Sequence, residues 1–381
     1  MNRLKQYFPV IRERQELLTE IRSVRELEEQ FESWTKEQQE DFLNLCTGVR
    51  GIRFLYDGFF KEIMNPEYVP ERLNDFLSQA LGKRVRVLKV LPADSVRLAD
   101  ENSLLIMDMV VEFEDGGIAN LEIQKVGYLF PGQRSACYSA DLLLRQYKRV
   151  RGERRKKFSY RDIRSVYTIV LYEKSPGAFH RFPHEYKHNF EQKSDTGLEM
   201  ELLQKYLFIP LDIFRKIQQN KDITDKLEAW LAAFSIDDPE TIIQLLERYP
   251  EFRQMYEEAY DICRNIEEVM AMFSRELYEL DKNTVQYMID EMQDTIDEQK
   301  TMLDTRQNTI DEQKAMLDIQ RNTIKTMQDM VERGILGMIR VMEKSGSSKG
   351  EILEALQEQY QLTGEAAEGY LEQRGGLQKR D

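Results

Sequence analysis

Between Leu104 and Gln124 the chain reads LLIMDMVVEFEDGGIANLEIQ, two apolar runs joined by a turn with two glycines, and this pattern predicts a β-hairpin. Asp108, Glu122 and Gln124 interrupt it. A carboxylate inside such a run is costly unless a cation or a hydrogen-bond network compensates it, so the interruptions mark candidate chemistry. On either side the pattern alternates. A helix is expected from Glu71, behind Pro70, to Leu81, with Gly82 as its stop. VRVLKVL predicts a strand before the hairpin. QRSACYSADLLLRQYKRV, with Ala136, Ala140, Leu143 and Tyr147 among its apolar positions, predicts a helix after it, and VYTIVLYE (166–173) a further strand. Strands alternating with helices place this block in the α/β class.

Ahead of the block, Leu17, Leu18, Ile21, Val24, Leu27, Phe31 and Trp34 recur at spacings of three and four, predicting an amphipathic helix within 1–48. Behind it, 199–283 read as mainly helical, with a strand possible at YLFIPLDIF. From Thr295 a fourteen-residue unit repeats: TIDEQKTMLDTRQN, TIDEQKAMLDIQRN and a degenerate TIKTMQDMVERG. Ile289, Ile296, Leu303, Ile310, Leu317, Ile324 and Val331 fill one heptad column, so 284–344 are expected to pair with a partner helix in a left-handed supercoil. The second core column, Met292, Gln299, Arg306, Gln313, Gln320 and Met327, is polar, and the expected homo-oligomer is weak. SGSSKG then leads into two short helices. The organisation expected is a helical segment at 1–48, a core at 49–215, a helical subdomain at 216–283, a coiled coil at 284–344 and a helical hairpin at 345–381.

Composition sharpens this picture in two places. No run approaches the roughly 20 apolar residues of a membrane helix, and MNRLKQYFPVIRERQ lacks the apolar stretch of a signal peptide. A cytoplasmic protein with no membrane partner is expected. Cys46, Cys137 and Cys263 are widely spaced and suggest neither a disulfide framework nor a zinc site. His180, His184 and His188 lie four apart, but Pro183 would break a helix carrying all three. The net charge of −14 argues against a nucleic-acid partner. Its distribution argues the other way: from Arg145 to Arg164 (RQYKRVRGERRKKFSYRDIR) ten Lys or Arg face only Glu153 and Asp162.

Strand parity decides whether the interruptions form one site. Asn120, Glu122 and Gln124 share a face by alternation. If Asp115, Gly116 and Gly117 form a three-residue loop, Glu114 pairs with Ile118 and Asp108 joins that face, opposite Gln124. A two-residue loop would instead set Asp108 against Lys125 and turn it away. With the first register, two carboxylates can converge on one divalent ion, and hard oxygen ligands suit Mg²⁺ or Mn²⁺ rather than zinc.

These residues also carry a resemblance. Asp108 in IMDMVVEFEDG, Glu122 and Gln124 in NLEIQ, the segment PGQRSACYSADLLLRQY, DGFFKEIM around Asp57 and VYTIVLYEKS are together similar to the PD-(D/E)XK nuclease superfamily, and within it to the bacterial nuclease-family transposases or recombination-promoting nucleases. It spans roughly residues 50–215. The resemblance implies a restriction-endonuclease-like core, a mixed sheet flanked by helices, and a Mg²⁺-dependent DNA endonuclease. Asp108 and Glu122 would be metal ligands, with Gln124 where the superfamily's lysine usually stands. Glu71, on the first core helix, is the candidate for an additional ligand. Arg134 and Tyr138, four apart, would face the site and contact phosphate. The basic segment, with Arg145, Lys148, Arg149, Arg151, Arg154, Arg155, Lys156 and Lys157, would grip DNA. A relative without cleavage, binding DNA or protein and oligomerising through its helix, is the alternative reading.

Overall fold

The computed structural model describes residues 3–91, 109–127, 131–219 and 221–377. Asp108 lies outside the described residues. In chain order the elements are α1 (Arg3–Tyr7), α2 (Arg14–Ser23), α3 (Arg25–Ser33), α4 (Lys36–Cys46), α5 (Asp57–Ile63), α6 (Pro70–Leu81), β1 (Val87–Leu91), β2 (Met109–Phe113), β3 (Ile118–Gln124), α7 (Pro131–Arg154), β4 (Val166–Tyr172), β5 (His188–Phe190) and β6 (Gln204–Pro210). Then come α8 (Leu211–Gln218), α9 (Lys226–Ser235), α10 (Pro239–Arg248), α11 (Phe252–Ile262), α12 (Ile266–Lys344), α13 (Lys349–Tyr360) and α14 (Gly364–Leu377). They fall into two units, Met1–Met292 and Gln293–Asp381.

In the first unit the strands form one mixed sheet in the order β1-β2-β3-β4-β6-β5. β2 pairs antiparallel with β1 and with β3, β3–β4–β6 run parallel, and β5 returns antiparallel to β6. Helix α7 is the crossover between the parallel β3 and β4. Odd-numbered residues of the inner strands, among them Val111, Ala119, Leu121, Ile169 and Leu171, enter a large core shared with α1–α6 and α8–α11. Val110, Ile118 and Val166 point the other way and meet Tyr138 and Leu142 of α7. Both faces are thus covered, which is why the hairpin reads as nearly continuous apolar runs.

The turn between β2 and β3 fixes the register. The Phe113 N–H donates to the Gly117 carbonyl at 2.8 Å and the Gly116 N–H to the Phe113 carbonyl at 2.9 Å. The loop is therefore Glu114–Asp115–Gly116, one residue earlier than the sequence suggested, and Glu112 rather than Glu114 faces Ile118. Two causes set it. Gly116 alone takes the left-handed position (φ +85°), the requirement of a type I turn closed by a bulge. The Asp115 carboxylate also accepts from the Gly117 N–H at 2.8 Å. A shift of two in register preserves parity, so even-numbered residues of both strands share a face.

The single amphipathic helix expected over Leu17–Trp34 is two helices. Val24, extended at φ −121° and ψ 114°, separates α2 from α3, and Leu17, Ile21, Leu27 and Trp34 are still buried. In the second unit the last turns of α12 pack with α13 and α14 around Ile335, Ile339, Ile352, Leu356 and Ala367. Ser348 and Glu351 form a reciprocal cap at the start of α13.

Candidate active site beneath helix α7

Parallel pairing of β3 with β4 sets Asn120 beside Thr168, Glu122 beside Val170 and Gln124 beside Tyr172. Helix α7 closes this face with Ser135, Tyr138 and Ser139, all buried. The result is a polar strip inside an apolar layer, and Glu122, 4% exposed, lies at its middle. Its carboxylate accepts from the Asn120 amide at 3.3 Å and from the Tyr138 hydroxyl at 3.4 Å. Arg134 brings a guanidinium nitrogen to 3.8 Å and lies over the Tyr138 ring at 5.1 Å. A buried carboxylate needs this neutralisation.

Around Glu122, Oδ1 of Asn120, Oε1 of Gln124 and the hydroxyl of Thr168 have no hydrogen-bond partner among the described residues, and the buried hydroxyls of Ser135 and Tyr172 lie beside one another without a well-aligned bond. An unmet buried polar atom costs about 1–3 kcal/mol, so a cluster of them on one face is a feature that folding alone disfavours. Burial, and next the negative charge of Glu122, push the Tyr172 hydroxyl above its usual range, while Arg134 and Ser135 pull it down less. Tyr172 therefore stays an O–H donor at neutral pH. The oxygen-only set of carboxylate, amide and hydroxyl groups suits a hard divalent cation and its water ligands better than zinc.

The other predicted residues separate into distinct places. Glu71 is exposed in the first turn of α6, whose buried residues Leu73, Phe76, Leu77 and Ala80 enter the core on the opposite face of the sheet. It is not brought to Glu122. Glu112 shares the Glu122 face, but it is held by Arg149 and, at 3.3 Å, by Lys89. Arg149 also donates to the Gly116 carbonyl at 3.3 Å, and Arg145 holds Asp141 at 2.6 Å, so both guanidinium groups are engaged within the fold. Lys148, Arg151, Arg154, Arg155, Lys156 and Lys157 are exposed. Arg151 donates to the Tyr147 hydroxyl.

Lys125, the only basic residue of the Glu122–Lys125 stretch, lies buried away from Glu122. Its ammonium group donates to the Leu55 carbonyl at 2.8 Å and pairs with Glu173 at 3.3 Å and with Glu276 of α12. Arg53 reaches the same Glu173 at 2.9 Å. This network ties the carboxyl ends of β3 and β4 to α12, and it gives Lys125 a structural partner set where a catalytic lysine would be free to reach substrate.

Sequence reasoning singled out Glu122 and Gln124 but not Tyr172, Thr168 or Ser135, which the structure sets on the same face. Tyr172 sits in an apolar strand as an ordinary β-former, and only the strand pairing sets it beside Gln124.

A mixed sheet flanked by helices, with Glu122 and Gln124 on one face of an inner strand, defines a restriction-endonuclease-like α/β core. The family model of the PD-(D/E)XK nuclease family transposases matches residues 55–289, and the chain belongs to that family. No curated protein matches the chain, nor does any solved structure.

Proposed function

We propose that the protein is a Mg²⁺- or Mn²⁺-dependent endonuclease that hydrolyses phosphodiester bonds in DNA, in the setting of transposition or recombination in the cytoplasm. The observation that supports it most is Glu122, buried on an inner strand of a nuclease-family core and surrounded by polar atoms that the described residues leave unmet. Asp108, one residue before β2, and Glu122 would hold the metal. A divalent ion there would supply Lewis acidity to a phosphoryl oxygen and acidify a water.

The chain's own groups divide the remaining work. The Gln124 amide oxygen orients a water by accepting a hydrogen bond from it. The Tyr172 hydroxyl, held protonated, donates towards an oxygen that gains charge. Arg134 shifts from Glu122 to a phosphate oxygen, which suits a guanidinium only 3.8 Å from its carboxylate and partly exposed. Lys148, Arg151 and Arg154–Lys157 grip the backbone through counterion release. Residues 284–344 join copies of the chain.

One observation favours a second reading, a DNA- or protein-binding module without cleavage. Glu122 already accepts from Asn120 and Tyr138 and has the Arg134 charge beside it, and the lysine position holds Gln124. Plasmid cleavage separates the two. Supercoiled DNA is expected to be cut with Mg²⁺ or Mn²⁺ and not with chelator, and Asp108→Ala and Glu122→Gln are expected to abolish cutting. Calorimetry is expected to show Mn²⁺ binding to the wild type and its loss in both variants. Salt-sensitive DNA binding with no cleavage under either metal would select the second reading.

A further inference from the structure

The exposed end of α7 carries more than charge. Arg155 takes a left-handed conformation (φ 47°) where α7 ends, and the chain folds back through two 3-10 turns, Arg155–Lys157 and Tyr160–Asp162. This return brings Tyr160 flat against Tyr147 of α7, with ring centres 6.2 Å apart and planes 14° from parallel. Phe158 meets both rings edge-on, at 5.6 Å and 5.3 Å. Arg151 lies 5.6 Å from the Tyr147 ring centre. The second turn is held by a reciprocal cap in which the Ser159 N–H donates to Asp162 at 2.9 Å. One of the two acids in the basic run is thereby engaged locally. Tyr160 nonetheless leaves 73% of its surface in water. An oriented, capped and stacked ring is preorganised, and its outer face is uncovered.

From this we infer that the aromatic-basic surface of Tyr147, Phe158 and Tyr160 binds unpaired nucleotides, so that the preferred substrate is DNA with a single-stranded segment beside a duplex. The inference rests on the nuclease reading above. Gripping duplex phosphates needs cations only, because the base faces of a duplex are stacked on one another and present nothing for an exposed ring. An unpaired base offers a π-face, and stacking on tyrosine beside arginine is the recurrent way proteins hold it. A protein partner fits the surface less well. Lys148, Arg154, Arg155, Lys156, Lys157 and Arg161 are all exposed around the rings, and lysine is depleted in protein interfaces.

The test is fluorescence anisotropy on the full chain with three labelled DNAs of one sequence: a blunt duplex, the same duplex with a single-stranded overhang, and the single strand. Chelator in the buffer prevents cutting. Wild type is expected to bind the overhang roughly ten-fold more tightly than the blunt duplex, the worth of about one stacked base. Tyr160→Ala is expected to bring that ratio towards one, and Tyr160→Phe to keep it. Lys156→Glu together with Lys157→Glu is expected to weaken all three DNAs and to flatten the salt dependence. Tyr160 is a surface residue, and an unchanged melting temperature certifies the fold of each variant. A wild-type ratio near one, or a ratio that Tyr160→Ala leaves intact, overturns the inference while leaving the nuclease reading standing. Failure of the wild type to bind any of the three overturns both.

Discussion

Gln124 and Tyr172 stand side by side across β3 and β4, the Gln124 amide oxygen meeting nothing among the described residues and the Tyr172 hydroxyl lying beside Ser135 without a well-aligned bond. For a residue that only packed, such an oxygen would be a pure cost. Tyr172→Phe is therefore expected to leave the melting temperature unchanged or slightly raised, because it deletes a buried hydroxyl that has no well-aligned bond. The same change is expected to lower plasmid cleavage about a hundred-fold, the scale of one preorganised donor removed from a developing charge. A melting-temperature drop with unaltered cleavage would make Tyr172 a packing residue. Glu122 and Gln124 were legible in the sequence because they interrupt an apolar run. Tyr172 was not, because tyrosine breaks nothing in a strand.

Between elements, the decisive contacts are the hairpin turn and the charged cluster at the carboxyl ends of β3 and β4. The turn's glycines announced a hairpin, but its starting residue depended on Asp115 capping Gly117 and on Gly116 adopting φ +85°. In the charged cluster, burial pushes Glu173 up while Lys125 and Arg53 pull it further down, leaving it below its usual value. Burial pulls Lys125 down, but Glu276 and Glu173 raise it more, so it ends above its usual value. The sign of each contribution follows. Stability from Glu173 is present above the ordinary glutamate value of 4.5 and is lost as pH falls through the depressed folded value. Stability from Lys125 is present below its ordinary 10.5 and is lost as pH rises through the raised one. Melting measured between neutral pH and pH 3 should therefore fall steeply below 4.5 in the wild type. Glu173→Gln should lose about 3 kcal/mol at pH 7, as a broken buried pair does, and show a shallower acid limb. Equal acid limbs in the two proteins would contradict that assignment.

At the scale of the whole molecule, the first unit buries its apolar residues on both sides of the sheet, and the second unit leaves a row of them in water. Ile296, Leu303, Ile310, Leu317, Ile324 and Val331 are all exposed along α12. Near them, Lys300 and Lys314 hold Asp297 and Asp311 within the same helix at 3.6 Å and 3.9 Å, pairs that support an exposed helix by a few tenths of a kcal/mol each. An apolar column of this length beside a polar one fits a partner helix held loosely. Sedimentation at micromolar concentration is expected to show a reversible oligomer that dissociates on dilution. Ile310→Asp with Leu303→Asp is expected to give monomer with unchanged cutting per site. A monomer at every concentration would remove self-association.

What the sequence determined by itself is what period and interruption encode: the α/β class, the hairpin, the heptad helix, the family, and the shared face of Glu122 and Gln124. Each rests on residues near one another along the chain. Partnership at a distance was decided only by the tertiary structure. Tyr172 lies beside Gln124 because β3 and β4 pair in parallel across a 24-residue helix. Lys125 is engaged because Glu276 arrives from α12, and Arg149 turns inward because α7 lies over Glu112 and the turn. Glu71 is set apart for the same reason: its helix packs on the opposite side of the sheet, and no local pattern in the sequence states on which side of a sheet a helix will pack.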